Sequence, residues 1–156
     1  MLRRAAFSNL SPKPHKFTLP FYTITGIFSR MVRRAPIAGE KPLHWVGSSK
    51  RDFLAFPEPV QSGMGYALGL AQLGGKHPKA KPWKGEGPAV FEVVENFDGD
   101  TFRAVYTVRF ERAMYVLHVF QKESPSGVRT ATVDVEVIRE RLKRAREDYE
   151  SIESTK

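Results

Sequence analysis

The apolar positions change period partway along the chain. Val60, Met64, Ala67, Leu68 and Ala71 recur at three- and four-residue steps, which puts them on one face of a helix. From residue 89 the period drops to two. "AVFEVVENF" (89–97), "TFRAVYTVRF" (101–110) and "MYVLHVFQK" (114–122) alternate as strands do. Asp98-Gly99 between the first two is a tight hairpin signal, and "ERA" joins the second to the third. Connections this short predict an antiparallel meander. The helical period then returns: Ile138, Leu142, Ala145, Tyr149 and Ile152 form a stripe on a helix expected to start near Thr132 or Asp134. Its other faces carry Arg139, Glu140, Arg141, Lys143, Arg144 and Glu147, the mixed charge of a solvated surface.

Upstream of the meander, "PLHWVG" (42–47) predicts a short strand. "SSKRDFLAF" predicts a helix start, with Ser49 as cap and Asp52 three residues on. Pro57 and Pro59 break that helix and open a second. Gly63, Gly65 and Gly69 either weaken the second helix or allow close packing, and Gly74-Gly75 ends it. "KHPKAKPWKGEGP" (76–88) reads as a lysine-rich loop. The expected fold class is α+β: a short N-terminal strand, a helical pair, an antiparallel β-meander and a C-terminal helix.

Alternation also sorts side chains by face. In the second meander strand, Phe102, Ala104, Tyr106, Val108 and Phe110 share one side, expected to meet the core. Arg103, Val105, Thr107 and Arg109 share the other, expected to reach water or an anion. In the third strand, Tyr115, Leu117, Val119 and Gln121 alternate with Val116, His118, Phe120 and Lys122. If the latter set lies on the side of Arg103, a cationic cluster forms on an open face of the sheet. Plainer readings stand beside this one. His118 is a packed ring bonded to a neighbour, Lys122 is an edge residue, and Arg103 pairs with Asp100 or Glu92 across the hairpin.

Charge changes the picture less than its total suggests. The chain carries a formal +8 over 156 residues, which points to an anionic partner. Residues 1–30 hold five basic residues (Arg3, Arg4, Lys13, Lys16, Arg30) and no acidic ones, so the remainder nets only +3. The position of each cation therefore matters more than the sum. Residues 1–40 read as an N-terminal extension, expected to be a disordered tail, and Met31 offers an alternative start. A basic beginning before "FTLPFYTITGIF" mimics a signal peptide, but Pro20, Thr23 and Thr25 interrupt the run and no small-residue cleavage site follows. The domain is expected over 41–150 and a short tail over 151–156. The absence of cysteine excludes disulfides and thiolate chemistry. His15, His44, His77 and His118 lack metal-ligand spacing, and no apolar run is long enough to span a bilayer.

Four stretches, "KPLHWVGSSKRDFLAFP", "GYALGLAQLGGKHPKAKPWKG", "FEVVENFDGDTFRAVYTVRF" and "YVLHVFQKES", together resemble the phage-related, Gp49-like and HigB-type branch of the RelE/ParE toxin superfamily. The resemblance runs from about Lys41 to Tyr149 in the family's order. It implies a RelE-like fold and the toxin of a type II toxin–antitoxin system. Such a toxin cleaves messenger RNA on the ribosome, in the cytoplasm, without metal or other cofactor. The implied partners are the ribosome with its mRNA and a helix-turn-helix antitoxin, through which contact with DNA is indirect; no membrane is involved. The resemblance assigns catalysis to Lys84, Arg103, His118 and Lys122. Arg103 and Lys122 steady the phosphate, Lys84 contacts phosphate or joins proton transfer, and His118 serves as acid or base. Lys76, Lys79, Lys81 and Arg109 are the expected RNA-binding residues. The chain departs from the family at Val94, where many members have arginine, and at Glu123, which follows Lys122. Two other functions fit the same resemblance: a non-enzymatic ParE-like inhibitor of DNA gyrase, and an inactive toxin fold that binds only its antitoxin.

Overall fold

The computed structural model describes residues 37–122 and 128–155, with residues 128–131 described by backbone alone. In chain order the elements are β1 (Leu43–Trp45), α1 (Ser49–Leu54), α2 (Glu58–Gln72), β2 (Ala80–Pro82), β3 (Val90–Phe97), β4 (Asp100–Thr107), β5 (Met114–Lys122) and α3 (Val128–Ser154). The five strands form one mixed sheet in the order β1-β5-β4-β3-β2. β1 runs parallel to β5 and the other pairings are antiparallel. This is an α+β fold of RelE-like type, with the strand, helical pair, meander and terminal helix that the sequence implies. Among the described residues, no helix is long and apolar enough to cross a membrane. The readings made for residues 1–36 lie outside the described residues.

The hairpin between β3 and β4 turns at Asp98 and Gly99, whose φ angles are 51° and 81°. Two successive left-handed residues match the twist of the flanking strands. The pairing then runs unbroken from Phe97↔Asp100 to Val90↔Thr107.

The helices occupy both faces of the sheet, not one. α1 and α2 bury Phe53, Val60, Met64, Leu68 and Ala71 against Val93, Phe102, Ala104, Tyr106 and Val116. On the opposite face, Ile138, Leu142, Ala145 and Tyr149 of α3 pack on Val90, Val105, Phe110, Tyr115 and Leu117. The second face of β4 is therefore partly covered: Val105 and Thr107 are fully buried, where solvent contact was expected. Phe110, expected beside Phe102, joins the α3 cluster because regular pairing ends at Thr107. Helical spacing fixes which residues form a stripe but not which sheet face receives it.

A bulge in β5 shifts the phase as well. Val105 pairs with His118 but Tyr106 pairs with Val116, so Leu117 is the extra residue. Two residues on the bulged strand then oppose one on its partner. Leu117 and His118 consequently both face α3, while Val119 joins Val116 under the helical pair. Simple alternation had grouped Leu117 with Val119.

Three local differences follow from tertiary contacts. The lysine loop contains β2, held on β3 by Ala80↔Val93, Lys81↔Glu92 and Pro82↔Phe91; proline is tolerated there because β2 is an edge. Ser48, not Ser49, occupies the N-cap of α1, without a side-chain capping bond. Ser49 is buried and its hydroxyl donates to the Val116 carbonyl at 3.2 Å. Finally, α3 starts at Val128 and continues through Ser154, earlier and later than its apolar stripe indicates.

Candidate functional site

β3 and β4 place Glu92 and Arg103 on the α3 side of the sheet, one rung apart, because Glu92 pairs with Val105 and Arg103 with Val94. Their side chains form an ion pair between Arg103 Nη1 and Glu92 Oε2, both largely buried. Lys81 stands opposite Glu92 across the β2–β3 ladder. Lys81, Pro82, Trp83, Lys84 and Glu92 line an open pocket of about 540 Å³. Arg103 thus offsets the charge of Glu92, and neither Lys81 nor Lys84 has an ion-pair partner among the described residues. The pocket is left cationic. Lys122 is exposed and pairs with Thr101, the next residue of β4 on the Arg103 side.

Two donors at this site lack acceptors. Trp83 Nε1 and Arg103 Nε are buried and make no hydrogen bond among the described residues. Each such group costs about 1–3 kcal/mol, a cost more readily carried where a ligand arrives. The indole itself packs beside the α3 cluster, and the Trp83 N–H of the backbone donates to the Val90 carbonyl at 2.9 Å.

The remaining expected residues divide among other places. β2 splits the lysine loop between the two faces. Lys76 lies over the Phe91 ring at 5.3 Å and Lys79 Nζ pairs with Glu95 Oε2 at 2.6 Å. Phe91, Val93 and Glu95 alternate with Glu92, so both lysines lie on the α2 side. Arg109 Nη2 donates to the Glu86 carbonyl at 2.7 Å, which tethers the loop that follows Lys84. Lys81, Lys84, Arg103 and Lys122 are therefore the expected cations that share the face of the pocket.

His118 shares that face beneath the start of α3. Its Nε2 lies 2.9 Å from Asp134 Oδ1, and its Nδ1 lies 3.3 Å from Arg141 Nη1. An arginine only donates, so Nδ1 accepts and Nε2–H donates to Asp134. Burial lowers the pKa of the ring; Asp134 opposes that shift and Arg141 adds to it. The ring stacks on Phe120 at 4.8 Å between centroids. Arg141 also donates to the Leu117 carbonyl at 2.9 Å and to Ser48 Oγ at 2.8 Å. Together these groups pin α3, the β5 bulge and the start of α1. Asp134 and Arg141 are not legible in the sequence as site residues, because each sits among the mixed charges of the C-terminal helix with no pattern to separate it. Glu92 was legible only as a salt-bridge option for Arg103.

The fold and this cationic pocket define a small α+β protein of RelE-like type. A model of the phage-derived, Gp49-like (DUF891) family matches residues 51–143. The chain belongs to that family, which is a RelE-like toxin family. It matches no curated protein and no solved structure.

Proposed function

We propose that this protein is the toxin of a type II toxin–antitoxin system and cleaves messenger RNA on the ribosome in the cytoplasm. The observation that carries the reading is that Glu92, paired with Arg103, lines one open pocket with Lys81 and Lys84. RNA supplies its own nucleophile. The 2′-oxygen attacks the adjacent phosphorus, the bond to the 5′-oxygen breaks, and a 2′,3′-cyclic phosphate and a 5′-hydroxyl result. Glu92 takes the 2′-hydroxyl proton as general base. Arg103 leaves its bond to Glu92 for the phosphate oxygens and, with Lys122, steadies the charge of the phosphorane. Lys84 donates the proton that the leaving oxygen requires, and Lys81 contacts a flanking phosphate. His118 holds β5 under α3 and so positions Phe120, the cross-strand neighbour of Arg103. Lys76, Lys79 and Arg109 extend the contact to the RNA backbone or brace the loop. A helix-turn-helix antitoxin neutralises the protein and carries it indirectly to DNA.

Induced expression should halt protein synthesis, and the double variant R103A/K122A should restore it. Arrest undiminished in the double variant would overturn the site. Arrest accompanied by DNA-damage signalling and continued translation would point to a gyrase target instead.

A further inference from the structure

We propose that Trp83 is a stacking platform for one unpaired RNA base, and that the pocket it lines selects single-stranded substrate. The inference rests on the reading that the pocket binds RNA, and it adds what the bases do there. Trp83 is half-buried, with its ring packed beside the α3 cluster and its residue lining the pocket wall. Lys81 and Lys84 flank it within the chain and line the same pocket. An aromatic surface between two cations that have no ion-pair partner among the described residues suits a nucleotide: the base stacks on the ring and the neighbouring phosphates meet the ammonium groups. Lysines alone would hold a phosphate backbone whether or not its bases were exposed. The indole adds a requirement, since a base held in a duplex stack cannot lie on it. The ring is well fixed for this purpose. Its backbone is bonded to Val90 at 2.9 Å, and Arg109 braces the next turn through the Glu86 carbonyl.

The full chain with Trp45→Phe leaves Trp83 as the sole indole. Its emission is titrated with a single-stranded RNA hexamer and with an abasic hexamer of equal charge. The hexamer should quench the emission and bind at least fivefold more tightly than the abasic strand. Trp83→Ala should weaken binding roughly 5- to 150-fold, the range of one lost base stack, whereas Trp83→Phe should stay within about fivefold of the parent. Equal binding of intact and abasic strands, or unchanged affinity in Trp83→Ala, would overturn the proposal. If Trp83→Ala does not fold, the abasic comparison decides alone. Transcript cleavage in cells without quenching refutes the stacking role and leaves the nuclease standing. Quenching without cleavage supports the stacking role and removes the nuclease.

Discussion

Arg141→Ala tests how the covered side of the site is held. Arg141 makes two short charge-assisted bonds, to the Leu117 carbonyl at 2.9 Å and to Ser48 Oγ at 2.8 Å, and a longer contact of 3.3 Å to His118 Nδ1. A hydrogen bond to a charged group nets about 1.5–3 kcal/mol. The guanidinium is only partly buried, so water can reach some of what it leaves behind, and the low end of that range applies to each short bond. The long contact is left uncounted. The expected loss is about 3 kcal/mol, a large share of a small domain's stability. Urea unfolding followed by far-UV circular dichroism should show a lower midpoint with an unchanged slope, since the surface exposed on unfolding is the same. Ser48→Ala alone should lose less, and the double variant should lose less than the two single losses added together, because the residues share a bond. A loss below about 1 kcal/mol in Arg141→Ala, or simple additivity with Ser48→Ala, would refute the claim that this arginine ties α1, β5 and α3 together.

Two further outcomes follow from the same structure. Burial lowers the pKa of His118 despite the opposing Asp134, with Arg141 adding to the drop and Asp52 opposing it. The unfolded chain therefore binds the proton more readily. Stability should be full above about pH 6.5, the ordinary histidine value, and should decline as the pH falls below it. His118→Gln should flatten that part of the stability profile in urea titrations, and a slope of unchanged size would rule out His118 as its source. Gly99 takes φ of 81° in the β3–β4 turn, where a side chain has open space. Gly99→Ala should then cost about 1–2 kcal/mol from the left-handed backbone alone. A thermal midpoint unchanged from wild type would contradict this.

How much was legible depended on the range of the interaction. The β3–β4 hairpin was written locally: Asp98-Gly99 fixes the turn and the alternation on each side fixes the register. The buried face of α2 was equally local, since Val60, Met64, Ala67, Leu68 and Ala71 are all buried as their spacing requires. β1 paired with β5 is a contact between segments about seventy residues apart, and "LHW" carries no sign of its partner. β2 was hidden because lysine and proline read as loop, while its strand character comes from the β3 edge. The bulge at Leu117 was invisible because both phases of "VLHVF" are apolar enough to be buried. That phase decides where His118 points. The pocket was half legible: the cations were named, but Glu92 and Trp83 became part of the site only once β2 lay beside β3.

The most direct test of the central claim is 5′-end mapping of cellular transcripts in the first minutes after induced expression of the full chain, beside its Glu92→Gln variant. The account predicts new 5′ ends bearing hydroxyl groups, confined to translated codons, and their disappearance in Glu92→Gln. Growth arrest with no new ends, or cuts of equal strength in the variant, would contradict it.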